Sequence, residues 1–366
     1  MPEIWIPYGS VETLLTIQAE NLGAIVDPSE GNKSYESEKL ADRVRKTGSV
    51  FVCDAKPPTV LLLREILSLL GGAAAPRVVA SDSRRIESLA PELKGKVTAL
   101  GRQSGTADGS PMYPPELLAS GPKAFVATAQ PDPLYGIADA KVAACLGWIG
   151  SSARICAQRS RDFAPAPFTK TSAYDAAGEL TASIPEASFV TTIPRSGKAS
   201  MVCEDAPFEE MANGFYSANV SPARAMVVGS GGAGYDDTLS GALRVLWGSL
   251  GCVRKSGEIL ILAECAGGLG SRALEMLVSG RLGGEASRRK ERYVEGLEEV
   301  EYLERLKRDY DVLLLSGLPE LYTKSKLGLG SAKGSGEALG KLLGRLGRTS
   351  KVNVVTRAPE CRVGPT

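Results

Sequence analysis

Short apolar runs of strand length alternate with segments of helical periodicity along most of the chain. In the first half, an apolar run at 50–53 is followed by a helical pattern that opens near Pro58, and residues 78–80 supply the next strand. Apolar runs at 97–100 and 124–127 continue the series. This alternation predicts a mainly parallel sheet with helices on both faces, which binds ligands at the carboxyl ends of its strands.

The second half repeats the alternation after a less regular middle. Residues 162–185 are rich in Pro, Ala, Ser and Thr with weak periodicity, so we expect irregular structure or short helices there. A hairpin at 189–203 and a helix at 207–214 are predicted to follow. Beyond them we predict strands at 225–228, 259–263, 312–315 and 352–355, and helices near 238–250, 271–279, 298–308 and 337–346.

The length of the chain sets the number of domains. With 366 residues it is long enough for two domains that have separate cores. We place the boundary just after the helix at 207–214, which gives domains of 1–215 and 216–366, and a strand pair around the turn at residues 8–10 is expected to begin the first domain. The predicted fold class is α/β, with two doubly wound, mainly parallel sheets and an interdomain cleft.

Composition excludes several classes of partner. Lys and Arg number 43 against 42 Asp and Glu, so no global field attracts nucleic acid or an anionic membrane. The sequence shows neither a spanning apolar stretch nor a signal peptide, so we expect a cytoplasmic protein. Seven scattered cysteines form no CxxC pair and are expected as free thiols. Asn and Gln are scarce, a bias typical of proteins from hot environments.

A glycine-rich loop follows the first strand of the second half. Gly229, Gly231 and Gly234 satisfy the G-x-G-x-x-G pattern, in which backbone amides can hold a phosphate or carboxylate. A dinucleotide site also needs an acid about 20 residues further on, whereas Glu264 comes 30 residues after Gly234. The alternatives of an anion site, an NAD site and a tight turn therefore stay open. A second glycine cluster follows the next predicted strand of this half. The ligand-binding candidates from the two clusters are Gly231, Gly232, Tyr235, Gly267 and Gly268.

Five short segments carry a resemblance to a known family. They are Ile-Pro-Tyr-Gly at 6–9, Asp-Ala-Lys-Pro at 54–57, residues 138–149, the glycine loop with Tyr235 and Asp236, and residues 258–270. In this order they resemble the nickel-dependent lactate racemases. The resemblance implies a racemase or epimerase of small 2-hydroxy acids, hence an isomerase. It also implies a nickel pincer made from a nicotinic-acid nucleotide, a tethering lysine, one histidine on the metal and two that exchange the substrate proton.

The chain departs from that family where the metal and the proton are handled. It contains no histidine at all. Gln103 and Ser152 stand where the resemblance places the two catalytic histidines, and neither residue is an effective proton carrier at neutral pH. Residues 158–162 replace the loop that supplies the tethering lysine. We therefore expect no nickel, no metal site and no nickel-pincer nucleotide.

Residues that would hold a small anion are partly kept. The resemblance implies an Asp-x-x-Arg clamp, of which Asp54 remains with Lys56 close by, and Arg244 replaces a helical lysine. One hypothesis is a divergent enzyme with Asp54, Lys56, Asp236 and Arg244 around the cleft. A second is a non-catalytic protein that binds an anionic metabolite or nucleotide. A third is an NAD-binding dehydrogenase. The oligomeric state stays open.

Overall fold

A computed structural model describes residues 2–28, 47–70, 76–101, 110–150, 163–164, 166–196, 198–282, 294–346 and 350–366. The chain divides into two compact units. The terminal unit consists of Met1–Glu30 and Tyr216–Thr366, and the middle unit consists of Gly31–Phe215. Each unit contains one six-stranded sheet.

The elements are as follows. The strands are β1 (Glu3–Tyr8), β2 (Val11–Thr16), β3 (Leu22–Val26), β4 (Ser49–Val52), β5 (Arg77–Ala80), β6 (Val97–Ala99), β7 (Lys123–Thr128), β8 (Gln130–Asp132), β9 (Gly136–Ala138), β10 (Ala187–Arg195), β11 (Lys198–Glu204), β12 (Tyr216–Val220), β13 (Ala223–Gly229), β14 (Val253–Leu262), β15 (Asp311–Leu315), β16 (Gly330–Ala332), β17 (Val352–Val355) and β18 (Cys361–Pro365). The α-helices are α1 (Pro57–Leu70), α2 (Ser83–Leu89), α3 (Pro115–Leu118), α4 (Ala140–Ala144), α5 (Ser172–Ala182), α6 (Phe208–Gly214), α7 (Leu239–Leu246), α8 (Arg272–Val278), α9 (Leu297–Asp309) and α10 (Ser335–Leu346). Shorter 3₁₀ segments lie at Pro91–Leu93, Trp247–Cys252 and Ala358–Glu360, and π-helical segments at Cys145–Ile149 and Leu321–Lys326.

The sheet of the middle unit has the order β11-β10-β7-β4-β5-β6. Its strands are parallel except β11, which pairs antiparallel with β10. Val50, Phe51 and Val52 are all buried, as expected for a strand covered on both faces. Phe51 stacks on Phe125 with ring centroids 4.8 Å apart, and Trp148 meets Phe51 edge-on at 5.4 Å. These rings form the centre of the core on one face.

The sheet of the terminal unit has the order β16-β15-β14-β13-β17-β3, and all neighbouring strands are parallel. The antiparallel β1–β2 hairpin packs on this sheet, because its apolar side chains share one buried cluster with those of the strands. Residues of that cluster include Ile4, Ile6, Leu15, Ile17, Val227, Leu260, Leu313 and Val354. The hairpin therefore brings its turn at residues 8–10 into the terminal unit.

The structure confirms the predicted α/β class with mainly parallel sheets. Of the two alternatives expected for residues 162–185, irregular structure or short helices, the structure shows a helix, the eleven-residue α5. Thr171 caps this helix by accepting a hydrogen bond from the Tyr174 backbone N–H at 3.2 Å. The buried face of α5 includes Ala173 and Ala177, whose small side chains give no strong apolar period.

The start of the chain also requires a correction. We expected residues 1–215 to form one domain, but Met1–Glu30 belongs to the terminal unit. The reason is long-range pairing, since β3 lies parallel to β17 with Leu22 opposite Val352. The break between Phe215 and Tyr216 lies at the expected position.

Two expectations from composition concern cysteines and membrane helices. Six cysteines in the described part of the chain are free thiols, namely Cys53, Cys145, Cys203, Cys252, Cys265 and Cys361. Among the helices of the described ranges, none has both the length and the apolar character needed to cross a membrane.

Candidate functional site

Asp54 lies at the carboxyl edge of the middle-unit sheet, just after β4. Its Oδ2 atom accepts hydrogen bonds from the Thr128 backbone N–H at 2.8 Å and from the Lys56 ammonium at 3.0 Å. Its Oδ1 atom accepts from the Lys56 backbone N–H at 3.1 Å. Both side chains are only 13% exposed. Asp54 thus links the ends of β4 and β7 and fixes the position of the Lys56 ammonium.

A chain of threonine hydroxyls lies beside this ion pair. Thr59 and Thr128 share a hydrogen bond of 2.7 Å between their Oγ1 atoms, and the Thr192 hydroxyl donates to Thr128 at 3.0 Å. All three residues are buried, and they join α1 to β7 and β10. Helix α1 begins with Pro57 and Pro58, which have no N–H to offer an anion. Lys56 is therefore the charged donor that this helix start presents.

A second carboxylate, Asp139, is buried in the same unit. It caps α4 by accepting from the Val142 N–H at 2.9 Å, and it accepts from the Tyr174 hydroxyl at 2.7 Å. Burial raises the pKa of Asp139, although both hydrogen bonds oppose that shift. Burial also raises the pKa of the Cys53 thiol well above its usual value, and the nearby Asp54 carboxylate adds to the shift. Cys53 therefore stays a neutral thiol and is no nucleophile near pH 7.

The glycine loop of the terminal unit is closely packed by other parts of that unit. A Cβ on Gly229 would lie 2.3 Å from the Thr356 carbonyl oxygen, and one on Gly231 would lie 2.6 Å from Pro359 Cγ. A Cβ on Gly232 would lie 3.0 Å from Pro7 Cβ in the β1–β2 hairpin. These glycines therefore allow the hairpin and the segment after β17 to approach β13.

Several amides of that loop are bonded within the chain. The Ser230 N–H donates to the Leu262 carbonyl at 3.1 Å, and the Ala233 N–H donates to the Gly9 carbonyl at 2.7 Å. The Gly234 N–H donates to Asp237 Oδ2 at 3.1 Å. Helix α7 starts only at Leu239, so the glycines do not open a helix as a dinucleotide site requires. This geometry favours the interpretation as a structural turn.

The second glycine cluster lies at the same edge, because β13 and β14 are parallel neighbours. The Gly267 N–H donates to the Asp237 carbonyl at 2.6 Å, and the Gly268 carbonyl accepts from the Leu239 N–H at 3.0 Å. Tyr235 is buried. The five ligand-binding candidates thus lie in one unit, and whether any of them contacts a ligand stays a prediction.

Asp236 is fully buried in the terminal unit. Its Oδ2 atom accepts from the Gly9 N–H at 2.8 Å and from the Glu264 N–H at 3.3 Å, so it joins the hairpin turn to the end of β14. Burial raises the pKa of Tyr8 to about 12, and Cys265, Glu264 and Asp236 add to the shift. Burial together with the two carboxylates likewise raises the pKa of Cys265 to about 12. Asp236 and Glu264 therefore make this edge of the terminal unit acidic.

Arg244 on α7 forms a mostly buried ion pair with Glu299 on α9. Its Nη2 atom lies 2.5 Å from Glu299 Oε1, which also accepts from the Ser240 hydroxyl at 2.6 Å. Of the four catalytic candidates, the structure joins Asp54 to Lys56 in the middle unit and places Asp236 and Arg244 in the terminal unit. A pocket shared by Arg244 and Lys56 stays a prediction. Gln103, Ser152 and residues 158–162 lie outside the described residues.

The donor set does not suit the nickel cofactor of the family that the sequence resembles. The chain has no imidazole to place on nickel. In the part of the chain that the structure describes, no group of three or more Cys, Asp or Glu residues is arranged to hold a metal ion.

No family model matches the sequence, and no curated protein matches it either. Among solved structures, the chain is similar to the lactate racemase apoprotein from Thermoanaerobacterium thermosaccharolyticum, with a TM-score of 0.72 and 16% sequence identity. The match covers 99% of this chain and 100% of that one. The fold is lactate-racemase-like. At this identity the likeness concerns the fold alone.

The sequence did not single out several residues that surround the candidates. Thr128 comes directly after the predicted strand at 124–127, and Asp139 comes directly after β9. Their position at a strand end was the signal that could have identified them. Tyr174 could not be found, because it lies on α5, whose bounds the weak periodicity of residues 162–185 does not give. The sequence places Glu264 at the second glycine cluster, and the structure shows that its backbone N–H donates to Asp236.

Proposed function

We propose that this chain binds a small 2-hydroxy acid or a related carboxylate at the Asp54–Lys56 edge of the middle unit, and that it does not racemise lactate by nickel chemistry. The observation that supports this function is the fixed Lys56 ammonium. Its side chain is only 13% exposed, and Asp54 accepts one hydrogen bond from the ammonium and a second from the Lys56 backbone N–H. A restrained, partly desolvated cation loses little entropy when it pairs with a ligand carboxylate.

Asp54 can contribute to recognition as well as to positioning. A carboxylate has about four lone-pair sites, and three hydrogen bonds to Asp54 come from Lys56 and Thr128. Within the described ranges, these bonds leave one site for the hydroxyl of a 2-hydroxy acid. A ligand would then place its carboxylate on Lys56 and its hydroxyl on Asp54.

Racemisation needs a group that removes and returns a proton near neutral pH. The chain lacks histidine, the Cys53 thiol stays protonated, and Asp139 is a buried helix cap. These observations favour the non-catalytic hypothesis over a divergent isomerase. The bonded amides of the glycine loop weigh against NAD as the ligand.

Thermal melting with a ligand panel tests this proposal. The panel contains L-lactate, D-lactate, glycolate, malate, nicotinic acid mononucleotide and NAD. A ligand at 100 times its Kd stabilises the folded state by about 2.7 kcal/mol. We expect at least one hydroxy acid to raise the Tm and NAD to leave it unchanged. Stabilisation by NAD alone would contradict the proposal.

An activity assay separates binding from catalysis. The protein is incubated with L-lactate and nickel, and the enantiomers are followed by chiral chromatography. We expect no D-lactate above the rate of a protein-free control. Nickel-dependent conversion would show that the isomerase function is retained.

A further inference from the structure

A separate pocket lies at the opposite, amino edge of the terminal-unit sheet, where β15 and β16 begin. It is open to solvent and has a volume of about 420 Å³, within the range of small-molecule sites. Its lining contains three cationic side chains, those of Lys307, Lys324 and Arg345, together with Tyr310 and one acid, Asp311. The pocket is thus distinct from the Asp54–Lys56 edge and from the glycine loops.

Lys307 is the most firmly held of the three cations. Its ammonium donates to the Leu327 carbonyl at 3.0 Å and to Glu304 Oε1 at 2.6 Å. Gly328, with φ of +69°, follows Leu327, and a Cβ there would be in ordinary contact with Lys307 Nζ at 3.4 Å. An ammonium has three N–H donors, so one is left for a ligand once these two bonds are made.

The carboxylates beside the pocket compete weakly for its cations. Glu304 pairs with Lys307 and Glu320 pairs with Lys324, and both glutamates are more than half exposed. Exposed pairs of this kind contribute only about 0–1 kcal/mol. Arg345 has its carboxylate partner, Glu258, at 3.8 Å, beyond hydrogen-bond distance. A ligand with two negative charges can therefore replace monovalent partners at little cost.

Tyr310 adds a neutral donor to the same wall. Burial raises the pKa of its hydroxyl, with a further contribution from Asp309 that Arg305 opposes. The hydroxyl therefore keeps its proton at neutral pH and can donate to an anion. Asp311 in the same lining repels any anion that comes close to it, so a ligand must gain more from the three cations than it loses to this carboxylate.

We propose that this pocket binds a diphosphate group through Lys307, Lys324 and Arg345. Two linked phosphates can span cations that lie on α9, on the π-helical segment Leu321–Lys326 and on α10. Arginine forms paired hydrogen bonds with a phosphate, and lysine acts as a point charge beside it. The source is either inorganic pyrophosphate or a nucleoside diphosphate.

Calorimetric titration of the full-length chain with pyrophosphate, ADP and inorganic phosphate tests the proposal. We expect pyrophosphate to bind more tightly than phosphate, and Arg345→Met and Lys307→Met to weaken it by about tenfold each. Tighter binding of ADP than of pyrophosphate would identify the nucleoside diphosphate as the source. The control is Lys351→Met, because Lys351 is exposed and lies beside β17, three strands from β15.

The outcomes are separable from those of the proposed function. Lys56→Met is expected to leave pyrophosphate binding unchanged. No heat with pyrophosphate or ADP at millimolar concentration, or an equal loss in Lys351→Met, would overturn the pocket proposal. Lys307→Met also removes a contact to the Leu327 carbonyl and could therefore lower stability. Lys324→Met serves as a second variant, because the Lys324 side chain is half-exposed and its loss should leave the parent Tm unchanged.

Discussion

The carboxyl edges of the two sheets have similar residues but use them differently. In the middle unit, Asp54 follows β4 and accepts two of its hydrogen bonds from Lys56. In the terminal unit, Asp236 follows the glycine loop and accepts from Gly9 and Glu264, which are backbone donors of the hairpin turn and of β14. The first carboxylate positions a cation, and the second holds two chain segments together. An acidic residue near a strand end therefore indicates a ligand-binding site only when its hydrogen-bond partner is a side chain that can also bind a ligand.

The largest effect is expected for Gly229→Ala in the glycine loop. The new Cβ would lie 2.3 Å from the Thr356 carbonyl oxygen and 2.4 Å from Ile6 Cγ2, so backbone must move. We expect a loss of more than about 3 kcal/mol in the free energy of unfolding, measured with urea. Gly268→Ala is the control, with φ of +83° but no atom within 4 Å, and should cost about 1 kcal/mol. Equal losses would mean that the loop is not closely packed and would reopen the ligand-binding interpretation.

A direct comparison of the two carboxylates gives the next effect. Asp236→Ala leaves the Gly9 and Glu264 N–H groups without their acceptor, and we expect it to cost about 2–4 kcal/mol without changing hydroxy-acid affinity. Asp54→Ala should cost about 1–2 kcal/mol and remove the binding, because Lys56 loses its restraint. Denaturation and calorimetry of both variants measure the two quantities. Loss of affinity in Asp236→Ala alone would reverse the assignment of roles.

The acidic edge of the terminal unit predicts a stability change at high pH. The Cys265 thiol has its pKa raised from 9.0 to about 12 by burial and by Asp236 and Glu264. Below pH 9 the thiol is protonated in both folded and unfolded chains, so stability is unchanged there. As the pH rises from 9 to 12, the unfolded chain loses the proton first, and the free energy of unfolding falls. Cys265→Ala should reduce this slope, and an unchanged slope would place the effect at Cys203 and Cys252, whose pKa values are also raised.

A small gain in stability is expected at a glycine outside the loops. Gly340 lies inside α10 and has no atom within 4 Å of an added Cβ. Gly340→Ala should therefore add about 0.5–1 kcal/mol, because it reduces the entropy of the unfolded chain. Urea denaturation against the parent measures the change. A loss would show that Gly340, like Gly229, is needed for close packing.

Much of the fold could be predicted because its signals are local. The continuous apolar run before Asp54 and the proline that opens α1 identified β4 and the helix after it. The assignment of residues 1–30 to the terminal unit could not be predicted, because it depends on the pairing of Leu22 with Val352, which lies far along the chain. The bounds of helix α5 could not be predicted, because alanines and a threonine, instead of leucines, form much of its buried face.

The site was less predictable than the fold for a physical reason. The residues of a G-x-G-x-x-G pattern are the same whether its backbone amides bind a phosphate or another segment of the chain. Only the structure shows that the Ala233 N–H donates to the Gly9 carbonyl. In contrast, the proximity of Asp54 and Lys56 in sequence was enough to bring them together. The likeness to a lactate racemase concerns the fold alone.

Calorimetric titration at Lys56 tests the central claim most directly. The hydroxy acid that raises the Tm most is titrated into the parent, into Lys56→Met and into Lys170→Met, whose exposed lysine pairs with Asp175 in the same unit. The account predicts equal affinity for the parent and Lys170→Met and an affinity at least about tenfold lower for Lys56→Met, the effect of losing one charged hydrogen-bond partner. Equal affinity in all three proteins, or no binding by the parent, would contradict it.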